Sequence, residues 1–275
     1  MAASRRMLLR TGLVGLWLLA TACAEAGPRL YVSNEFVDTV TVIDLQTEQP
    51  VATIQVGNRP RGIKASPDRQ HVYVALGDDD AIGVIEVATN RVLENIPAGE
   101  DPEAFDISPD GRFLYVSNEE ANTASLIDLA SRKVAATVRV GVEPEGVAVS
   151  PDGKWVYVSS ETSHTISVID TSSFKVVATV LVGDRPRAIA FSPDGTRAYV
   201  TAEVGGAVSI LDAKTHTVLE TISVLRRDEK PMGVAVTPDG SKIYVSTGRG
   251  NTVAVIEAKT HKVLRYIPVG KRAWG

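Results

Sequence analysis

Tyr-Val pairs begin at Tyr31, Tyr73, Tyr115, Tyr157, Tyr199 and Tyr244, spaced by 42 residues four times and by 45 once. A second set of positions, Asp68, Asp110, Asp152, Asp194 and Asp239, keeps the same spacing. A period of this length means that no unit buries its own apolar face, and stability comes from stacking units against one another. In the unit around Tyr157 the apolar alternation predicts four strands: EGVAVS (145–150), KWVYVSS (154–160), TISVID (165–170) and KVVATVLV (175–182), here called A, B, C and D. Val, Ile and Ala predominate, as suits strands covered on both faces.

The links are equally regular. A and B are joined by Ser-Pro-Asp-Gly, in which Pro fixes φ, Asp bonds back to the backbone and Gly takes positive φ. Each C strand ends in an acid, Asp44, Glu86, Asp128, Asp170, Asp212 or Glu257, usually with Ser or Thr three residues later. These acids are read as formers of the C–D turn. Four antiparallel strands per 42 residues without a helix define one blade of an all-β propeller, with A innermost and D outermost. The first unit begins at its B strand, at Leu30, and the chain ends in VGKRAWG (269–275), where a further A strand would start. The expectation is a propeller spanning 27–275 with six blades less one inner strand, shortened at its C-terminus from seven.

Residues 1–26 read differently. Arg5, Arg6 and Arg10 precede the apolar stretch TGLVGLWLLA (11–20) and the small-residue run TACAEA (21–26). This is an export signal, too short to span a membrane, with cleavage expected after Ala26. SRRMLLR (4–10) also fits a twin-arginine signal, and LLATAC weakly fits a lipoprotein site at Cys23. Removing these residues shifts the formal net charge from −4 to −6 and removes the single cysteine. An acidic, exported, cysteine-free chain is a poor nucleic-acid binder and has neither a disulfide nor a thiolate metal site. The expectation is a periplasmic protein with no transmembrane segment after cleavage.

The units YVSNEFVDTVTVID and YVSSETSHTISVID, each followed by a VATIQVG- or VATVLVG-type D strand and RPR…SPD, resemble the YVTN family of β-propeller repeats over residues 30–275. The ordered series RPRG (59–62), DPE (101–103), VGVEPEGVAVSPDGKWVYVSSET (140–162), RPR (185–187), AEVGG (202–206) and VGKRAWG (269–275) is similar to seven-bladed members found with bacterial PQQ-dependent catabolism. The departure is length, since about 249 residues follow position 26. The resemblance implies a periplasmic accessory or binding protein acting beside a quinoprotein alcohol dehydrogenase or ABC-transport components. It supplies no catalytic residue. Quinone-binding propeller dehydrogenases have eight larger blades, so no cofactor is expected to be bound here and the association with PQQ is functional.

In this strand order the B–C and D–A loops share one face. The residue after the D–A proline lies at the mouth of the central channel and reads Arg61, Glu103, Glu145, Arg187 and Met232, with Trp274 in the equivalent place after Ala273. Four residues after each Tyr, the B–C loops add Glu35, Gly77, Glu119, Glu161, Glu203 and Gly248, a position expected to face solvent. One reading is a ligand- or partner-facing mouth: Glu103 and Glu145 are candidate oxygen ligands for a cation, and Arg61 and Arg187 suit a carboxylate. The other reading is inter-blade pairing, Arg59 and Arg61 with Asp101 and Glu103, and Arg185 and Arg187 with Glu143 and Glu145. The extended loop LRRDEKPMG (225–233) is a candidate partner contact. His164 is on the loop face, where a haem d1 role is an alternative, while His216 and His261 are expected to be exposed on the opposite face. No nucleophile elbow or Ser/His/acid set is recognisable, so enzymatic activity is not expected. A lactonase-type hydrolase with an acidic metal site is kept as the rival function.

Overall fold

The computed structural model describes residues 27–224 and 229–274. The export segment (1–26) and part of the extended loop (225–228) lie outside the described residues. The chain forms six antiparallel sheets. The first has three strands, Arg29–Asn34, Thr39–Asp44 and Gln49–Gln55. The other five have four strands each, paired in chain order. Their inner strands are Pro60–Ala65, Pro102–Ile107, Pro144–Val149, Pro186–Phe191 and Val234–Val236. The architecture is thus the expected propeller of six blades, the first lacking its inner strand. In the fourth blade the strands fall at Pro144–Val149, Trp155–Ser160, Thr165–Asp170 and Lys175–Leu181, within a residue or so of the periodicity reading. The only helices among the described residues are single 3-10 turns at Glu35–Val37 and Gly77–Asp79, so none is long and apolar enough to cross a membrane.

The apolar core lies between sheets, one cluster to each seam. Val40, Val42 and Ile54 of blade one pack on Val72, Val74 and Leu76 of blade two, and the same arrangement recurs up to Tyr199, Val208 and Ile210 against Ile243, Val245 and Ile256 at the fifth seam. Leu30 and Val32 correspond in sequence to Val72 and Val74, yet they are 46% and 37% exposed against 2% and 0%. Among the described residues, therefore, no sheet packs on that side of blade one. Each D strand bulges against its C strand, and the bulged residue points outward. Val51, Leu93, Val177, Leu219 and Leu264 form an exposed apolar series around the rim, a bulge placement that twists the outer edges away from edge-to-edge pairing.

Two polar devices repeat at the seams. The first uses the repeat tyrosine. Tyr31 donates its hydroxyl to Asn90 Oδ1 of the next blade at 2.8 Å, Tyr157 bonds His216 Nδ1 at 2.7 Å, and the Tyr115 ring lies 6.2 Å from that of Phe174. Asn90, Phe174 and His216 all occupy the left-handed position of a C–D turn, at φ near +50°, which aims their side chains back across the seam. His216 is consequently half-buried against Tyr157 and Trp155. This corrects the expectation that it is exposed, and burial holds its pKa below the ordinary value.

The second device is a hydroxyl two residues after the tyrosine. Ser117, Ser159, Thr201 and Ser246 accept the amides of Ala104, Gly146, Ala188 and Gly233 in their own inner strands. The same oxygens donate to the carbonyls of Glu145, Arg187, Met232 and Trp274, and Ser33 likewise donates to Arg61. Those carbonyls belong to the mouth residues. The C-strand acids act as turn formers, as expected: Asp44 accepts from the amides of Gln46 and Thr47, and Asp212 from those of Lys214 and Thr215.

Ser159 is fully buried, so Ser159→Ala strands an amide and a carbonyl. We expect a loss of about 1–3 kcal/mol, read from the urea midpoint. A change of under about 0.5 kcal/mol, the range of an ordinary surface substitution, would show that the hydroxyl does not hold the seam.

Candidate functional site

Arg61, Glu103, Glu145, Arg187, Met232 and Trp274 line one cavity of about 590 Å³ at the loop-face mouth of the channel. The six residues singled out by the repeat therefore meet, from four inner strands, the loop before the fifth and the segment after the last outer strand. The small and apolar residues Gly62, Ile63, Ala104, Gly146, Ala188 and Gly233 also line the cavity.

The loops place these side chains through backbone strain. The residue before each proline, Arg59, Asp101, Glu143 or Arg185, sits in the left-handed region at φ between 50° and 57°, as does Arg272 before Ala273. Glycine would occupy this conformation without steric cost, whereas a residue with a Cβ is disfavoured there. Each is held at both ends. Its amide donates to a B–C loop side chain 21 residues earlier: Arg59 to Asp38 Oδ1 (2.9 Å), Asp101 to Asp80 Oδ1 (3.0 Å), Glu143 to Asn122 Oδ1 (2.8 Å), Arg185 to His164 Nδ1 (3.1 Å) and Arg272 to Asn251 Oδ1 (2.7 Å). The first four carbonyls accept from the amides of Gly77, Glu119, Glu161 and Glu203. His164 is thereby a loop clamp with its Nδ1 occupied. The aspartates of blade two are clamps too, since Asp79 takes the amide and side chain of Asn58.

The charges interlock across the seams. Arg59 bonds both Asp101 and Glu103 of the next blade. Arg61 donates Nε to Glu103 Oε2 at 2.5 Å and Nη1 to Glu35 at 2.7 Å, with Glu145 at 3.9 Å. Arg187 donates to Glu145 and forms an ion pair with Glu161 of the preceding blade, and its Nε and Nη2 reach Glu203 Oε2 at 3.0 and 2.9 Å. Arg185 donates to Glu161 at 2.5 Å and Lys230 lies 3.6 Å from Glu203. The inter-blade pairs read from the sequence are present at Arg59, Arg61 and Arg187, while Glu143 instead accepts from the Thr162 hydroxyl. Arg61 also spans the like-charged Glu103–Glu145 junction that simple pairing left unexplained.

The B–C loop glutamates depart from expectation. Glu161 and Glu203 are buried and Glu35 and Glu119 half-buried; guanidinium groups draw Glu35, Glu161 and Glu203 inward, whereas Glu119 lies beside the carboxylates of Asp101 and Glu103. Asp101, Glu103 and Glu119 bring carboxylate oxygens within 4.8 Å of one another, a grouping the expected Glu103–Glu145 cation site did not include. Arg59 is bonded to two of the three.

Burial pushes the Glu103 carboxyl up to about 8, reinforced by the charge on Glu145 and opposed by Arg61. Burial also pushes Glu161 up, to about 7, aided by its hydrogen bond with Glu145 and opposed by Arg187. Glu203 moves the other way. Burial raises it, but the hydrogen bond and charge of Arg187, with Arg185 and Lys230, outweigh burial and hold it below the usual carboxylate range. Burial disfavours the charge of Arg61, yet Glu103, Glu145 and Glu35 overcome this and keep it protonated.

Comparison with known proteins bears on the fold. Residues 30–149 match the family described as "YNCE-like beta-propeller", and residues 171–269 match "Lactonase, 7-bladed beta-propeller"; together they support a YVTN-like propeller. No curated protein matches the chain. Among solved structures it is similar to Kuenenia stuttgartiensis Hydrazine Synthase, at 22% identity over 90% of this chain and 85% of that one, with a TM-score of 0.82. It is also similar to a functionally unknown protein from Desulfotomaculum acetoxidans DSM 771, at 20% identity over 89% and 83% of the two chains, with a TM-score of 0.75. At these identities the likeness is one of fold.

A carboxyl whose folded pKa lies above its unfolded value binds more protons in the folded state, so stability falls as pH rises through the interval between the two. For Glu103 that interval runs from the ordinary value of 4.5 to about 8. Glu103→Gln removes this titration, and we expect a shallower decline in unfolding free energy between these pH values than in the wild type. Equal slopes in the two proteins would contradict the assignment.

Proposed function

We propose that the protein is a periplasmic binding propeller that serves PQQ-dependent alcohol oxidation, its loop face engaging a quinoprotein dehydrogenase, an ABC-transport component or a small ligand. One observation carries the binding part. At five loops a charged residue is kept in a left-handed conformation that glycine would occupy at lower cost, two residues before Arg61, Glu103, Glu145, Arg187 and Trp274, which line the mouth cavity. Strain of this kind concentrates where a side chain has a task. The mouth chemistry suits recognition, since arginines and carboxylates are preorganised by one another and present a fixed pattern of both signs. The association with quinoproteins is supported by the ordered repeat segments from RPRG (59–62) to VGKRAWG (269–275), and the periplasmic location by the export pattern of residues 1–26.

A lactonase-type hydrolase is the second reading, favoured by the family match over residues 171–269 and by the Asp101–Glu103–Glu119 grouping. The grouping fits a divalent cation poorly. Arg59 already neutralises Asp101 and Glu103, and a metal would have to displace it. Haem d1 carriage is weaker still, because His164 Nδ1 accepts the Arg185 amide.

Affinity capture with the tagged protein from a host induced for quinoprotein alcohol oxidation is expected to recover a quinoprotein dehydrogenase or a transport component. The Glu35→Gln/Arg61→Gln variant is expected to lose it. Recovery of the same proteins by the variant, or of none by the wild type, rejects the association. Calcium binding accompanied by lactone turnover would favour the hydrolase.

A further inference from the structure

The mouth is electrically lopsided, and the cause is visible in the B–C loops. Blades one, three, four and five place Glu35, Glu119, Glu161 and Glu203 four residues after the repeat tyrosine, where the last three of these amides or carboxylates tie neighbouring loops together. Blade six places Gly248 there. Its φ is +50°, and a Cβ at this position would lie 2.8 Å from the carbonyl oxygen of Lys230, so the extended loop before Met232 leaves room only for glycine. Blade six thus brings no carboxylate where most other blades bring one.

Cations converge at the same place. Lys230, Arg249 and Arg272, with Arg185 and Arg187 behind them, line a cavity of about 160 Å³ between blades five and six. Glu203 is the single carboxylate in that lining, and it already serves Arg187, Arg185 and Lys230. Arg249 and Arg272 have no carboxylate partner among the described residues. The Arg272 guanidinium lies over the Trp274 indole at 5.5 Å, and Arg187 approaches the same ring at 5.8 Å. Trp274 is 44% exposed, and the buried Met232 adds a second apolar wall. A planar guanidinium presents a fork that matches a carboxylate, and an indole beside it offers a surface for an apolar tail.

We propose that this pocket binds a small organic carboxylate, with the carboxylate held by Arg249 and Arg272 and a short apolar tail lying against Trp274 and Met232. This rests on, and deepens, the loop-face binding reading by naming a ligand class for one of its lobes. It stands whether or not a partner protein docks on the Arg61 side. It also relocates the carboxylate site: Arg61 and Arg187 are committed to glutamates, whereas Arg249 and Arg272 are not.

Isothermal titration at low salt with propionate as the probe, and with sulfate and inorganic phosphate as anions lacking a tail, tests the assignment. The full chain after leader removal is used. Wild-type protein is expected to bind propionate, and more tightly than either inorganic anion. Arg249→Ser/Arg272→Ser is expected to weaken binding at least about tenfold, as loss of charge-assisted bonds requires. Arg272→Lys, which keeps the charge and removes the fork, is expected to fall between. Both arginines are exposed, so the variants should retain the wild-type melting temperature, and Lys154→Ala on the opposite face serves as the unaffected control. Unchanged propionate affinity in the double variant, or no binding by the wild type, overturns the site. Sulfate or phosphate binding as tightly as propionate overturns the role given to Trp274 and Met232.

Discussion

At four of the five seams the structure depends on one repeated bond, from the hydroxyl two residues after the repeat tyrosine to the carbonyl of the mouth residue in the next blade; Ala75 leaves the seam between blades two and three without it. A propeller blade is two-dimensional and covers its faces only with other blades, so the angle between sheets must be set by something more directional than apolar packing. Ser33, Ser117, Ser159 and Thr201 supply that direction at four seams, and Ser246 makes the same bond to the segment after the last outer strand. Most of them also accept an amide of their own inner strand, which closes a polar bridge from one sheet to the next within an otherwise apolar interface. The bond ends on Arg61, Glu145, Arg187, Met232 and Trp274, so the seam and the mouth are built by one set of atoms.

The mouth charges follow from that coupling. Once the post-proline backbone is fixed, its side chain points into the channel entrance beside the equivalent residue of the neighbouring blade. Carboxylates so placed are stripped of water, and removing a charge from water is costly unless it is matched. The guanidinium groups of Arg59, Arg61, Arg185 and Arg187 match them, each reaching carboxylates in a neighbouring blade. The match is incomplete toward Glu103 and Glu161, whose carboxyls are pushed up. It is in excess toward blade six, where Gly248 supplies no acid. One face of the ring therefore carries both a proton-holding lobe and a cationic lobe.

Most of the fold was legible in the sequence because a 42-residue period and a two-residue alternation act on every strand alike. Tyr157, Pro144 and Asp152 fall where the repeat places them, and the six mouth residues meet in one cavity as the topology requires. The B–C glutamates were misjudged because position alone cannot show that Arg185 and Arg187 fold over Glu161 and Glu203 and exclude water. His216 was misjudged because its turn is left-handed and aims the ring across the seam at Tyr157. The hydroxyl positions were in plain view as Ser or Thr after Tyr-Val, but their meaning needs two blades at once. The Lys230–Arg249–Arg272 pocket depends on three loops and on a glycine whose significance lies in what it fails to supply.

The central claim, that the mouth charges join the blades as well as forming the site, is tested most directly by a double-mutant cycle on Arg187 and Glu145. Unfolding free energies of the wild type, Arg187→Met, Glu145→Gln and the double variant give the coupling. A charge pair that joins two blades predicts a coupling of at least about 2 kcal/mol, the double variant costing that much less than the sum of the two single changes. Additive effects, within about 0.5 kcal/mol, would contradict the account and leave the charged mouth without a structural role.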